Sequence, residues 1–262
     1  MKKFQFQYEM QIDFSSVAQK HSFTLKCFPH SDERQEITDL QIELLPKVAY
    51  EHGVDSFGNA YIFGHHEGLH SKFRVIVKGI ALLGKQDCVH GEESLLALYR
   101  QQDEFTMPGR CIEEAFCTFY EKKETDLETA IHLMHQVYNS FQYLPGSTEI
   151  RTTAEQAMKL RKGVCQDYSN VLLSLCRKAG LPSRYVVGML EGEGASHAWV
   201  EVYCDGAWYG LDPTNDMVVT DGHVTISHGR NYKDCRINRG IFCGGGNQMQ
   251  TVYVNLSTVV EQ

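Results

Sequence analysis

Cys165 stands at the head of an apolar run with helical spacing, GVCQDYSNVLLSLCRKAG at 163–180, just after a glycine and the basic cluster KLRK at 159–162. The first turn of a helix presents free N–H groups and the positive end of the helix dipole. Both favour a thiolate, and the thiolate is the nucleophilic form of cysteine. Alone, a cysteine on an apolar helical stripe is more often a packing residue. Cys176, on the same stripe as Tyr168, Val171, Leu172, Leu175 and Ala179, is read that way.

A second element supplies what a thiol nucleophile needs. Asp205-Gly206 separates the alternating runs HAWVEVYC and AWYGLDP, a strong hairpin signal, and a two-residue turn there pairs residues whose numbers sum to 411. That register sets Asp212 opposite Trp199 and diagonal to His197, on a face shared with Glu201 and Trp208. Ala198, Val200, Val202, Ala207, Tyr209 and Leu211 form the apolar face. His197 could accept the thiol proton, with Asp212 fixing its tautomer and stabilising the imidazolium. Taken singly, His197 is an ordinary sheet histidine and Asp212-Pro213 a turn start; the set of three is what points to chemistry. Trp199 and Trp208 either line a substrate cleft or fill the sheet.

The elements that must hold these residues follow from periodicity. From Phe4 to about Leu83, short alternating runs such as FQFQYEMQI and KFRVIVKGIALL are separated by turn-rich PHSDER and DSFGN, which predicts an antiparallel β-sandwich. A boundary falls near 85–91, where the period changes. EESLLALYRQQ, CIEEAFCTFYEKK and TDLETAIHLMHQVYNSF are helical in pattern, the last opened by a Thr125-x-x-Glu128 capping box and striped by Leu127, Ile131, Met134, Tyr138 and Phe141. TTAEQAMKLRKG predicts a further helix, with Thr152-x-x-Glu155 as its start and Gly163 as its left-handed end. Residues 223–262 read as strands and loops.

Composition narrows the function classes. The chain has 262 residues, 42% hydrophobic and 22% charged, enough for two cored units: 1–88, a β-sandwich, and 89–262, an α+β domain with C-terminal strands. A net charge of −8 argues against nucleic acid and anionic membranes as partners. Without a signal-like or membrane-spanning apolar run, and with an odd nine cysteines, the expectation is a cytoplasmic protein with free thiols. HHEGLH at 65–70 reads as a polar loop rather than a metal site, Cys111 and Cys117 as packing residues, and Gly244–Gly246 as a loop, so no metal and no cofactor is expected.

GVCQDYSNVLLSLCRKAGLPSRYVVG, SHAWVEVY and WYGLDPTN, in that order, resemble the transglutaminase-like superfamily, papain-fold thiol enzymes. FQYLPGSTEIRTTAEQAM, GRNYKDC and IFCGGGNQ are similar to segments of its bacterial members described as cysteine proteases. The resemblance implies a papain-like core of helices packed on an antiparallel sheet, with Cys165 as nucleophile, His197 as general base and acid, and Asp212 as orienting carboxylate. A backbone N–H at the nucleophile would serve the oxyanion, joined by a side chain from Gln142 or Tyr143; Gln166 and Asp167 match family positions without an assigned chemical role. The expected reaction is thiol-dependent acyl transfer on peptide or carboxamide substrates through a thioester, mostly hydrolytic as in a cysteine peptidase or amidase. The alternatives are a protein-glutamine transamidase, or a non-catalytic scaffold whose N-terminal β domain recruits a protein partner.

Overall fold

The computed structural model describes residues 2–84, 88–90 and 95–259. In chain order the elements are β1 (Lys2–Leu25), β2 (Gln35–Leu45), β3 (Tyr50–Val54), β4 (Ala60–His66), β5 (His70–Leu83), β6 (Val89–His90), α1 (Leu96–Tyr99), α2 (Arg110–Phe119) and α3 (Asp126–Ser140). There follow β7 (Gln142–Tyr143), α4 (Ala154–Leu160), β8 (Lys162–Gly163), α5 (Cys165–Lys178), β9 (Ser183–Leu190), β10 (Gly192–Gly194), β11 (His197–Cys204), β12 (Ala207–Asp212), β13 (Met217–Val218), β14 (His223–Gly229), β15 (Asn238–Gly244) and β16 (Gln248–Thr258).

The first sheet, eight-stranded, is organised by β1. Its first half buries Phe4, Phe6, Tyr8, Met10, Ile12 and Phe14, all even-numbered, between β5 and β16; its second half buries His21, Phe23 and Leu25, odd-numbered, between β4 and β15. The change of parity needs an irregular residue, because side chains alternate strictly along a strand. Lys20 provides it at φ 51°, inside the register shift between Gln19 and Ser22 that interrupts the pairing with β15. Both halves of the expected sandwich are thus parts of one curled antiparallel sheet around a single core. β15 and β16 return from the far end of the chain to pair with β1. Residues 85–87 and 91–94, where the sequence places the boundary and the start of EESLLALYRQQ, lie outside the described residues. The rest of that run forms only the single turn α1.

HHEGLH departs from the polar loop expected. It spans the end of β4 and the start of β5, where His70 is buried with its Nε2 3.1 Å from Nδ1 of the buried His21.

The second sheet runs β13-β12-β11-β9-β14, with β6 on β12. Ala198, Val200, Val202 and Leu211 face α5 and share a core with α2, α3 and α4, as the apolar face of the hairpin predicts. α5 goes further than the expected stripe, since every residue from Asp167 to Arg177 is buried. Each fully buried Leu contributes roughly 1.5–3 kcal/mol. Leu172 and Leu175 are such residues, so this helix is fixed as the platform for its own first residue. Arg177 at its other end donates from its terminal nitrogens to Asp103, Thr106 and the carbonyls of Ser183 and Arg230.

Two local expectations change. Thr125 and Glu128 do form a capping box on α3, but α4 is capped one residue later than predicted, by Thr153 and Gln156. Glu155 instead accepts the N–H groups of Gly109, Cys111 and Ile112 and so caps α2. The left-handed residue ending α4 is Arg161, at φ 54°, not Gly163.

Candidate active site

Cys165 is the first residue of α5, His197 the first of β11 and Asp212 the last of β12. Element ends let side chains leave one layer and reach another. The hairpin turn has Asp205 at φ 49° and Gly206 at φ 87°, the left-handed pair a tight β-turn demands. It pairs Cys204 with Ala207 and Val200 with Leu211, the register the turn predicts. His197 Nε2 then donates to Asp212 Oδ2 at 2.7 Å, which leaves Nδ1 for a second partner. The Cys165 thiol lies close enough to raise the pKa of this ring.

Burial works against a charged imidazole. Hydrogen bonds and charge from Asp212 and Cys165 outweigh it and raise the His197 pKa to about 10. Burial likewise opposes ionisation of Asp212, but hydrogen bonds from His197, His223 and Asn215 hold its carboxyl far below the usual carboxylate range. A positive ring is therefore held between a buried carboxylate and a sulfur.

Asp212 has partners that sequence reasoning missed. Asn215 Nδ2 donates to Oδ2 at 2.7 Å and His223 Nε2 at 3.1 Å, while the backbone N–H groups of Thr214 and Asn215 donate to Oδ1 at 3.0 and 3.3 Å. DPTN carried a usable signal for Asn215, because an Asp at a turn start bonds the N–H groups two and three residues on. His223 had none. It arrives on β14, which reaches β11 only through β9. Among the described residues His197, Asp212 and His223 are also the group whose ligand atoms lie close enough, within 4.8 Å, to hold a metal. Both imidazoles spend Nε2 on the same carboxylate oxygen, so a cation there would displace both hydrogen bonds.

Asp167 secures the start of α5. Its Oδ2 accepts from Val164 N–H at 2.8 Å and Thr148 Oγ1 at 2.6 Å. Burial raises its pKa, with those bonds pulling the other way. A Cβ on residue 163 would lie 2.5 Å from that same oxygen, so Gly163 is needed for close approach.

The remaining expected site residues separate. Gln142 and Tyr143 are exposed on β7, beside β8. Tyr143 lies near enough to the sulfur that, after burial, charge on Cys165 raises its phenol pKa. Gln166 is tethered outward, Nε2 donating to the Ile150 carbonyl at 2.9 Å. Trp199 does not line an open cleft: it is fully buried with Val186 and Val219, its ring 6.2 Å from that of His197 and 5.2 Å from that of His223. Gly188, paired with His197, makes room for it, since a Cβ there would stand 2.5 Å from the indole. Trp208 packs with Leu96 and Tyr99 under the Arg184 guanidinium, 4.2 Å away. Glu201 is committed to a buried ion pair with Arg184 and Arg34.

Residues 116–213 match the model of the transglutaminase-like superfamily. The chain is similar to an uncharacterized protein of Mycobacterium leprae, 36% identical over 114 residues, or 40% of each chain. It is also similar to one of Mycobacterium bovis, 34% identical over 131 residues, covering 44% of this chain and 42% of the other. The match spans about two fifths of the length of these curated relatives. A solved structure, that of a candidate cysteine protease from Cytophaga hutchinsonii, superposes with a TM-score of 0.83 over 100% of this chain and 92% of its own at 20% identity, so the fold is common to both throughout. Cys165, His197 and Asp212 all fall within residues 116–213, the segment of this chain that matches the transglutaminase-like superfamily.

Proposed function

We propose that the protein is a thiol-dependent acyl-transfer enzyme that hydrolyses peptide or carboxamide bonds through a thioester on Cys165. The observation that carries this reading is the meeting of three element ends, with His197 bonded to Asp212 and within electrostatic reach of the Cys165 thiol. With its pKa raised, His197 carries a positive charge beside the sulfur, and such a charge favours the thiolate, the form of a cysteine that attacks.

The Cys165 sulfur adds to the substrate carbonyl. The oxyanion faces the head of α5: the N–H groups of Asp167 and Tyr168 turn back to the Val164 carbonyl, which leaves those of Cys165 and Gln166 at the open end. We assign the side-chain donor role to the Tyr143 hydroxyl rather than to Gln142, because the charge of Cys165 acts on that phenol. His197 gives its Nδ1 proton to the departing amine as the C–N bond breaks, and the thioester remains. A water then passes a proton to His197 and attacks the thioester, releasing the acid and restoring thiolate and imidazolium. The candidate protease sharing the fold supports water as acceptor.

The test is to trap the acyl-enzyme by mass spectrometry against a peptide library, with and without a primary amine. An adduct on Cys165 that decays to free acid in both conditions is the expected result. Capture by the amine instead would make the enzyme a transamidase, and no adduct from any peptide would refute acyl transfer.

A further inference from the structure

We infer that His223 is a positioning residue of this site: its neutral imidazole donates from Nε2 to Asp212 and holds the carboxylate oxygen on which His197 depends. The inference rests on the proposed function for its meaning and on the geometry for its support. Asp212 is fully buried, and its Oδ2 is shared by His197 at 2.7 Å, Asn215 at 2.7 Å and His223 at 3.1 Å. Asn215 and the two N–H groups on Oδ1 come from the turn that follows Asp212 itself, so they move with it. His223 is different. It belongs to β14 and ties the carboxylate to the opposite side of the sheet, across β9.

The position of His223 is itself fixed. It is 2% exposed, with the Trp199 ring edge-on at 5.2 Å, and it stands on the sheet face set by the row His197, Gly188, Thr225. Its other nitrogen, Nδ1, is buried without a hydrogen-bond partner. That is unusual for a buried polar atom and suits a ring whose value lies in the Nε2 bond. Because Nε2 donates and Nδ1 has no acceptor to serve, the neutral Nε2–H tautomer fits the site. Burial lowers the His223 pKa, against the pull of Asp212; the nearby charges of His197 and Arg34 act with burial. His223 can thus support Asp212 without placing a second cation beside the His197 ring, whose centroid is 6.0 Å away.

The test needs no substrate. The rate of iodoacetamide modification at Cys165 is followed by mass spectrometry across pH in the full-length protein, its His223→Leu and His223→Gln variants, and Cys165→Ala as blank. Gln places an N–H donor where Nε2 lies, whereas Leu fills space only. With Leu, Asp212 loses its anchor and His197 loses charge stabilisation, so the neutral-pH rate is expected to fall several-fold and the midpoint of the profile to move to higher pH. Gln should stay within about twofold of the parent. An unchanged or downward-shifted midpoint in His223→Leu, or equal impairment by Leu and Gln, would overturn the inference. Should the Leu variant not fold, ¹⁵N-histidine spectra of the unmodified protein decide: a neutral Nε2–H ring at pH 7 is expected for His223, and an Nδ1–H ring or an imidazolium would contradict it. These outcomes leave acyl transfer standing; only the failure to trap any adduct on Cys165 removes that.

Discussion

His197, partly buried, and His21, fully buried, are both set against a second histidine ring, His223 at 6.0 Å and His70 at 5.3 Å, yet their protonation is driven in opposite directions. His21 sits among Phe14, Phe23, Phe73 and Phe242 on the bend of β1; burial, followed by the charges of His70, His66 and His65, lowers its pKa to about 4. His197 is raised to about 10 because Asp212 and Cys165 overcome the burial that would lower it. Burial alone makes a histidine inert. A buried carboxylate on one nitrogen and a thiol near the other turn the same side chain into a charged partner for a nucleophile.

The contrast can be broken most severely at the sulfur. Cys165→Ala should abolish turnover and acyl-enzyme formation while the protein melts where the parent does, since Cys165 is only half-buried; a melting scan showing gross unfolding would make it a packing residue instead. Asp212→Asn converts the His197 environment toward that of His21. It should cost on the order of 10⁴-fold in turnover, and NMR titration should find the His197 pKa reduced from about 10 toward ordinary values. Leu172→Ala separates packing from chemistry: this fully buried residue of α5 should lose about 2–5 kcal/mol in denaturant unfolding. Tyr143→Phe removes one partly exposed donor and should lower kcat about tenfold with little change in KM.

The smallest effect is the most diagnostic of the comparison, because the two histidines give stability opposite slopes with pH. His21, at about 4 folded against 6.5 unfolded, takes up its proton more readily in the unfolded chain, so its contribution is intact above pH 6.5 and declines as pH falls toward 4. His197, at about 10 against 6.5, contributes fully below pH 6.5 and loses its contribution as pH rises through 10. His21→Phe should therefore flatten only the acid side of a stability–pH curve and His197→Ala only the alkaline side. Both flattening the same side would mean the two environments do not differ as described.

What the sequence revealed depended on how local the determinant was. The hairpin register was legible because Asp205-Gly206 fixes it by itself, and the register alone brings His197 and Asp212 together. The capping box at Thr125 is equally local. His223, the return of β15 and β16 to β1, and the pairing of His21 with His70 are set by strands that meet only in the folded sheet, and no short-range pattern announces them. Trp199 was ambiguous for another reason. Its face was readable, but that the face is covered where the indole lies depends on Val186 of β9 and on Val219, just past β13.

Iodoacetamide labelling at neutral pH, with each modified thiol mapped, reads the reactivity of Cys165 against a control in the same helix, Cys176, whose thiol burial pushes well above its usual range. Cys165 should react far faster than Cys176 and slow markedly in His197→Ala. Slow, equal labelling of the two, or a Cys165 rate indifferent to the loss of His197, would contradict a thiolate–imidazolium pair at the head of α5.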